Sequence, residues 1–257
     1  MQKVTLVMVE TESYELARVA LLQSIAKYPF EERLVFTDCP ERFPEAQCVK
    51  IPKLQSISQY NNLMLKVVPD FIRTPFFLVI QFDGFILNES AFDPVFFEYD
   101  YIGAPWNGEP EQSCVGNGGF SWRSKRLADA VKGCVGDSRV EEAEDVMIGQ
   151  RLRYSLEKRE GLTFAPRSVA ARFSFEFPAT DVPTFGFHGV FNLPLVYKNE
   201  IDWLVNHLPT RVLMEGAGFN LFALTMDALG LDKTLLIKRA HSARNSQHEN
   251  YRYYNDV

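Results

Sequence analysis

Pro75 and Gly84 bracket a continuous apolar run, Phe76-Phe77-Leu78-Val79-Ile80. Such a run, without polar alternation, reads as a strand covered on both faces, as in a parallel sheet with helices on each side. The residues before it repeat the theme. Val4–Val9 is a β-branched run that ends at Glu10-Thr11-Glu12-Ser13, a strand followed by a polar turn. Residues 14–28 place Leu16, Val19, Ala20 and Ile25 close to helical spacing, and Pro29 stops them. Residues 33–37 and 48–51 are further strands, and 58–68 a helix. This alternation predicts an α/β sandwich with a central mixed, mostly parallel sheet flanked by helices, and ligands beyond the carboxyl ends of the strands.

The second half is less regular. Residues 98–102 and 120–122 are candidate strands, 125–132 and 142–157 candidate helices, and 172–176 alternates like a strand. From about residue 200 short helices lead to a polar tail, 241–257. No repeat or linker divides the chain, so a single domain over 1–257 is expected, with a nucleotide-binding half (1–105), a donor and acceptor half (106–195) and C-terminal helices (196–257). The tail from Lys238 carries +2 while the rest of the chain sums to −8; a solvated end is its simplest reading, and Tyr251, Tyr253 and Tyr254 are its candidates for stacking on a nucleotide.

Composition excludes several classes. With 27 basic and 33 acidic residues the chain carries −6, so it does not bind nucleic acid by bulk electrostatics, and an anionic ligand needs a local site. The N-terminal apolar run is too short for a signal peptide, and no stretch approaches the roughly 20 apolar residues of a membrane span. The four cysteines, Cys39, Cys48, Cys114 and Cys134, form no C-x-x-C pair and read as buried free thiols. A cytoplasmic protein is expected. Aromatic residues make up 13%, enough for a heavy core or for the walls of a pocket.

Five segments could carry chemistry. Gln81-Phe82-Asp83-Gly84 follows the buried strand, so Asp83 stands at the ligand-bearing edge, where one carboxylate and a diphosphate can hold Mg²⁺ or Mn²⁺. The same segment fits a hairpin turn. Gly116-Asn117-Gly118-Gly119 lets backbone approach a ligand, although it also fits a glycine turn before a strand. Residues 137–145 hold five acids and one arginine; they either complement a helix dipole or supply a carboxylate general base. His188, between glycines and aromatics, can ligate a metal or be an ordinary hydrogen-bonded histidine. Residues 99–106, with Tyr101 and Trp106, form a sugar-stacking wall or plain core.

The order of these segments is more specific than any one of them. An Asp-ending strand, Asp100-Tyr101-Ile102-Gly103-Ala104-Pro105-Trp106, Asn117-Gly118-Gly119-Phe120-Ser121, Glu144-Asp145 and Phe187-His188-Gly189 together resemble the GT-A class of nucleotide-sugar glycosyltransferases. More closely, the set resembles a family of bacterial proteins of glycosyltransferase type long known as a domain of unknown function. The resemblance covers about residues 1–195. Its glycine and Glu-Asp segments are also similar to those of inverting galactosyltransferase-type enzymes. One position departs: the D-x-D metal motif of that class is Gln81-x-Asp83 here, with an amide where the first carboxylate would stand.

The resemblance implies a GT-A-like fold and a transferase that moves a sugar from a nucleotide-diphosphate donor, a UDP-sugar, to a glycan or lipid-linked saccharide with inversion. It implies that Glu10, Thr11 and Gln81 hold the nucleotide, that Asp83 and His188 ligate Mn²⁺ or Mg²⁺, and that Asn117, Gly118 and Gly119 line the donor. Asp145 is then the base, and Glu144 binds the sugar or orients that base. Trp106, Phe120 and Tyr101 stack on acceptor or sugar. Peripheral membrane contact is compatible with a lipid-linked acceptor. Two other readings remain: a non-catalytic carbohydrate-binding or degenerate transferase partner, and a sugar nucleotidyltransferase. The last is disfavoured by the acidic, glycine-free turn after the first strand.

Overall fold

The structure, a computed structural model, describes residues 2–176, 183–214 and 216–255, with side chains to 245. The chain divides into two compact units, Met1–His188 and Gly189–Val257. The sequence predicts one domain whose last part begins at 196, a few residues beyond this division.

The first unit is built on six strands: β1 Val4–Val9, β2 Glu32–Thr37, β3 Gln47–Lys50, β4 Phe76–Ile80, β5 Tyr101–Gly103 and β6 Ser121–Ser124. Their order is β3-β2-β1-β4-β6-β5. The pairs β1–β2, β2–β3 and β1–β4 are parallel, whereas β6 runs antiparallel to both β4 and β5. This is the mixed, mostly parallel sheet flanked by helices that the strand runs predicted. Every residue of β1 is buried, because helices cover both faces.

One face packs Val7, Phe36, Phe77 and Val79 against Met64, Val68 and Ala128. The other carries the aromatic load. Trp122, opposite Leu78 in β6, meets Phe76, Phe92, Phe97 and Tyr28 at centroid distances of 5.2–6.2 Å, and Phe185 joins through Phe92 and Phe96. The phenylalanines are therefore mostly core.

Helix α1, Tyr14–Lys27, follows β1. The segment predicted as one helix over 58–68 is α2 Ile57–Asn62, a wide π-type turn Leu63–Val67 and α3 Val68–Phe71. Helix α4, Lys125–Val135, is capped by the Ser124 hydroxyl, which accepts from Leu127 N at 3.0 Å. The predicted helix over 142–157 is likewise broken, into α5 Glu144–Val146, a π-type turn Met147–Arg151 closed by Leu152 N–H on the Met147 carbonyl, and α6 Arg153–Arg159. The expected strand over 172–176 is corrected. Helix α7 runs Arg167–Phe173, and only Ser174–Phe175 form β7, parallel to β8 Gly186–Phe187.

The second unit is helical: α8 Leu193–Val196, α9 Ile201–His207, α10 Thr210–Met214, α11 Gly216–Ala228 and α12 Thr234–Asn255. Trp203 stacks on Tyr197 at 5.6 Å. Residues 241–255 of the segment read as a polar tail belong to α12, and the side chains of Tyr251, Tyr253 and Tyr254 lie outside the described residues. No described helix is long and apolar enough to cross a membrane. All four cysteines are free, but only Cys114 is buried and Cys134 is exposed, which corrects the expectation of four buried thiols.

Candidate functional site

The strand end after β4 turns back at once. Gln81 and Gly84 exchange backbone hydrogen bonds of 2.9 and 3.1 Å and pair as an isolated antiparallel bridge. The two readings of this segment therefore coincide: a two-residue turn carries Asp83 at the carboxyl edge of the sheet. Beyond it, Leu87 N–H bonds the Phe185 carbonyl, and His188 N–H bonds the Phe175 carbonyl at 2.9 Å. That register carries the late histidine back to the turn.

His188 Nε2 lies 3.9 Å from Asp83 Oδ1 and 3.3 Å from Gln81 Oε1. Its Nδ1 is 3.1 Å from Glu176 Oε1. Asp83 Oδ1 is buried with no hydrogen-bond partner among the described residues. A buried carboxylate oxygen left in that state is costly unless a cation meets it. Burial opposes the charged imidazole, but the carboxylates of Asp83 and Glu176 outweigh it and push its pKa up to about 9. The pocket thus favours positive charge at this point.

Two ligands on adjacent corners of an octahedral ion with bonds of ~2.1 Å stand about 3 Å apart, close to the 3.3 Å found between His188 and Gln81. The donor set, one carboxylate, one imidazole and one amide oxygen, suits Mn²⁺ or Mg²⁺ that completes its shell with phosphate and water. Among the described residues no cluster of three or more His, Cys, Asp or Glu side chains stands ready to hold a metal. Gln81 Nε2 donates to Tyr60 Oη at 2.8 Å, so its amide is fixed beside His188.

The glycine segment is packed between this cluster and the acids. A methyl on Gly119 would overlap His188 Nε2 and come within 2.7 Å of Gln81 Oε1, while one on Gly118 would overlap Glu144 Oε1 and come within 3.0 Å of Asp145 Cβ. Neither glycine has a positive φ. Both are there for room, not for an unusual backbone. Gly118 N–H donates to Asp145 Oδ2 at 3.1 Å and Val146 N–H to Oδ1 at 2.8 Å. Burial first, then the neighbouring Glu144 carboxylate, push Asp145 up to about 6 against these N–H groups and Arg123.

Glu144 is differently placed. Both of its oxygens are taken by Arg123 of β6, at 2.7 and 2.9 Å, with side-chain exposures of 3% and 5% for Arg123 and Glu144. Arg123 also donates to Ser121 Oγ and to the Gly118 carbonyl. With both oxygens held by Arg123, Glu144 has none left for a sugar.

The stacking residues need correction. Tyr101 and Phe120 are both 0% exposed. The Tyr101 hydroxyl bonds the Gly116 carbonyl at 2.7 Å, and Phe120 stacks on Phe173 at 4.9 Å, so neither ring has a face for a ligand. Trp106 is half-buried, with its indole against Gly116 and Gly149. Asn117 bonds Glu176 and accepts from Gly119 N–H, both at 3.0 Å.

Glu10 and Thr11 stand at the same sheet edge, at the end of β1. Glu10 Oε1 accepts from Glu12 N–H at 2.7 Å and Ser13 N–H at 2.8 Å, the amides at the start of α1. Thr11 Oγ1 accepts from Leu54 N–H. A cavity of about 400 Å³ lined by Phe76, Tyr99, Asp100 and Ser124 lies at the other end of β4 and contains none of these residues.

Sequence reasoning missed Glu176, Arg123 and Tyr60. The only signal for Glu176 was an acid ending the aromatic alternation Phe173-Ser174-Phe175-Glu176. For Arg123 it was a charge between Trp122 and Ser124 in a strand.

Residues 45–188 match the model of DUF5672, described as a protein of unknown function, and the chain belongs to that family. No curated protein matches the sequence. Among solved structures, the mannosyltransferase PcManGT from Pyrobaculum calidifontis, in complex with GDP-Man and Mn²⁺, aligns over 96% of this chain and 75% of its own, at 10% identity and a TM-score of 0.46. A glycosyltransferase involved in glycosylation of the major capsid of PBCV-1 aligns over 72% and 92%, at 10% identity and 0.47. The bifunctional IspDF from Campylobacter jejuni aligns over 58% and 47%, at 10% identity and 0.40. This chain spans less than half of that last protein's length.

Proposed function

We propose that the first unit is a GT-A-like glycosyltransferase, transferring a sugar from a nucleotide diphosphate, UDP in the first instance, to a saccharide hydroxyl with inversion. The observation that carries this reading is the adjacency of two kinds of site. Gly119 packs on the Asp83–His188–Gln81 cluster and Gly118 on Asp145, and consecutive Cα atoms are about 3.8 Å apart. Displacement at an anomeric carbon needs this: a place for the departing diphosphate and a base for the incoming hydroxyl, side by side.

In this reading Asp83 and His188, with the Gln81 amide, hold Mn²⁺ or Mg²⁺. When bound, the ion neutralises charge on the leaving diphosphate. Asp145 takes the proton of the acceptor hydroxyl, and its raised pKa makes it a better base than an exposed aspartate. The Arg123–Glu144 pair keeps Asp145 against Gly118. A sugar nucleotidyltransferase is disfavoured, because Glu10 already occupies the amides after β1 where a triphosphate would be gripped.

Calorimetry of UDP with and without Mn²⁺ tests the reading. The parent is expected to bind UDP more tightly with Mn²⁺, and Asp83→Ala to lose the metal-dependent part. Equal affinity of parent and variant under both conditions overturns the metal assignment. Slow hydrolysis of a UDP-sugar separates a transferase from a binding module.

A further inference from the structure

We infer that Glu176 is a positioning residue that fixes the ring of His188 with Nε2 turned to the cation and clamps that ring to the glycine segment. The inference rests on the proposed metal-assisted reading and deepens it.

A neutral imidazole carries one N–H, and a carboxylate can only accept. With Glu176 Oε1 at 3.1 Å from Nδ1, the proton belongs on Nδ1. In the neutral ring that a metal would bind, the Nε2 lone pair then faces Gln81 Oε1 and Asp83 Oδ1. A cation in place of a proton on Nε2 would meet all three donors, and a carboxylate behind a histidine is a common way to orient such a ligand.

The same Glu176 oxygen accepts from Asn117 Nδ2 at 3.0 Å, and Asn117 Oδ1 accepts from Gly119 N–H at 3.0 Å. Glu176 therefore joins the late strand to the loop that Asp145 touches. Its place follows from register. Phe175 pairs with Phe187, which sets the next residues, Glu176 and His188, side by side.

The test compares parent, Glu176→Ala and Glu176→Gln. Free Mn²⁺ is read by electron paramagnetic resonance in the presence of UDP, and metal-free UDP binding by calorimetry. Glu176→Ala is expected to weaken Mn²⁺ about 10- to 100-fold and to leave metal-free UDP affinity unchanged. Glu176→Gln, which keeps an acceptor without the charge, should fall between; it carries the test if the alanine variant does not fold. A parent that binds Mn²⁺ and a variant that binds it equally overturn the inference alone. A parent that binds no Mn²⁺ overturns the proposed reading and the inference with it. As a separate readout, ¹⁵N spectra of labelled histidine with Mg²⁺ and UDP should show His188 protonated on Nδ1; protonation on Nε2 overturns the inference.

Discussion

Asp145 Oδ2 accepts the N–H of Gly118 at 3.1 Å, while the Cα of that glycine lies too close to Glu144 for any side chain. One backbone position therefore meets two acids with opposite duties, one locked to Arg123 and one facing the loop.

The pH response follows from Asp145. Its pKa of about 6 means that the ionised base accumulates as pH rises through 6, so kcat/KM should climb through that point and level off. Asp145→Asn should lose about 10²- to 10⁴-fold in turnover and the Asp145 limb of the profile, with donor affinity near normal. Because the folded value is raised above 3.8, this group favours folding below about pH 4 and that contribution is lost as pH rises through 6. A flat rate profile between pH 5 and 7 in the parent rules Asp145 out as the base.

Breaking the Arg123–Glu144 pair should be expensive. Arg123→Met leaves a buried carboxylate unpaired and is expected to cost about 3–5 kcal/mol in urea unfolding. The double variant Arg123→Met with Glu144→Leu should recover most of that loss. If the single variant unfolds at the parent midpoint, the pair does not hold this part of the structure.

Gly119→Ala probes the other side of the loop. Its methyl would overlap the His188 ring, so Mn²⁺-dependent UDP binding should weaken roughly 10-fold or more, on the scale of losing a ligand's support. Metal-free UDP binding should change little. Unaltered Mn²⁺ dependence would show that His188 takes no part.

Phe120 and Trp106 should separate cleanly. Phe120→Ala is expected to cost about 3–5 kcal/mol of stability as a core deletion, because Phe120 stacks on Phe173 with no exposure. Trp106→Ala should unfold less readily than Phe120→Ala yet weaken saccharide acceptor binding. Thermal melts and acceptor titrations on the same two variants check both.

The strands were legible because Val4–Val9 and Phe76–Ile80 are unbroken apolar runs that only a doubly covered sheet accommodates. The reversed direction of β6 was not, since a four-residue strand with Trp122 and Arg123 on opposite faces has no directional signal. Asp83 was readable as a strand-end acid, and His188 only from the order of segments, because their meeting depends on the pairing of β7 with β8. Glu176 was invisible for the same reason. Tyr101 and Phe120 misled because an aromatic beside glycine looks alike in a pocket wall and in a core. The helix over 142–157 hid its break, as a single extra residue in one turn barely disturbs a 3.6-residue count.

The wide turn Met147–Arg151 acts as a phase shifter between two halves of a helix. In a regular helix each residue advances the azimuth by about 100°, so the surplus residue sets the direction of Asp145 independently of the face that α6 buries through Leu156. Such insertions persist where a side chain must be aimed. Deleting one residue between Asp145 and Leu152 would repair the hydrogen-bond ladder and swing the acid away from Gly118, giving a more regular helix with nothing left to aim.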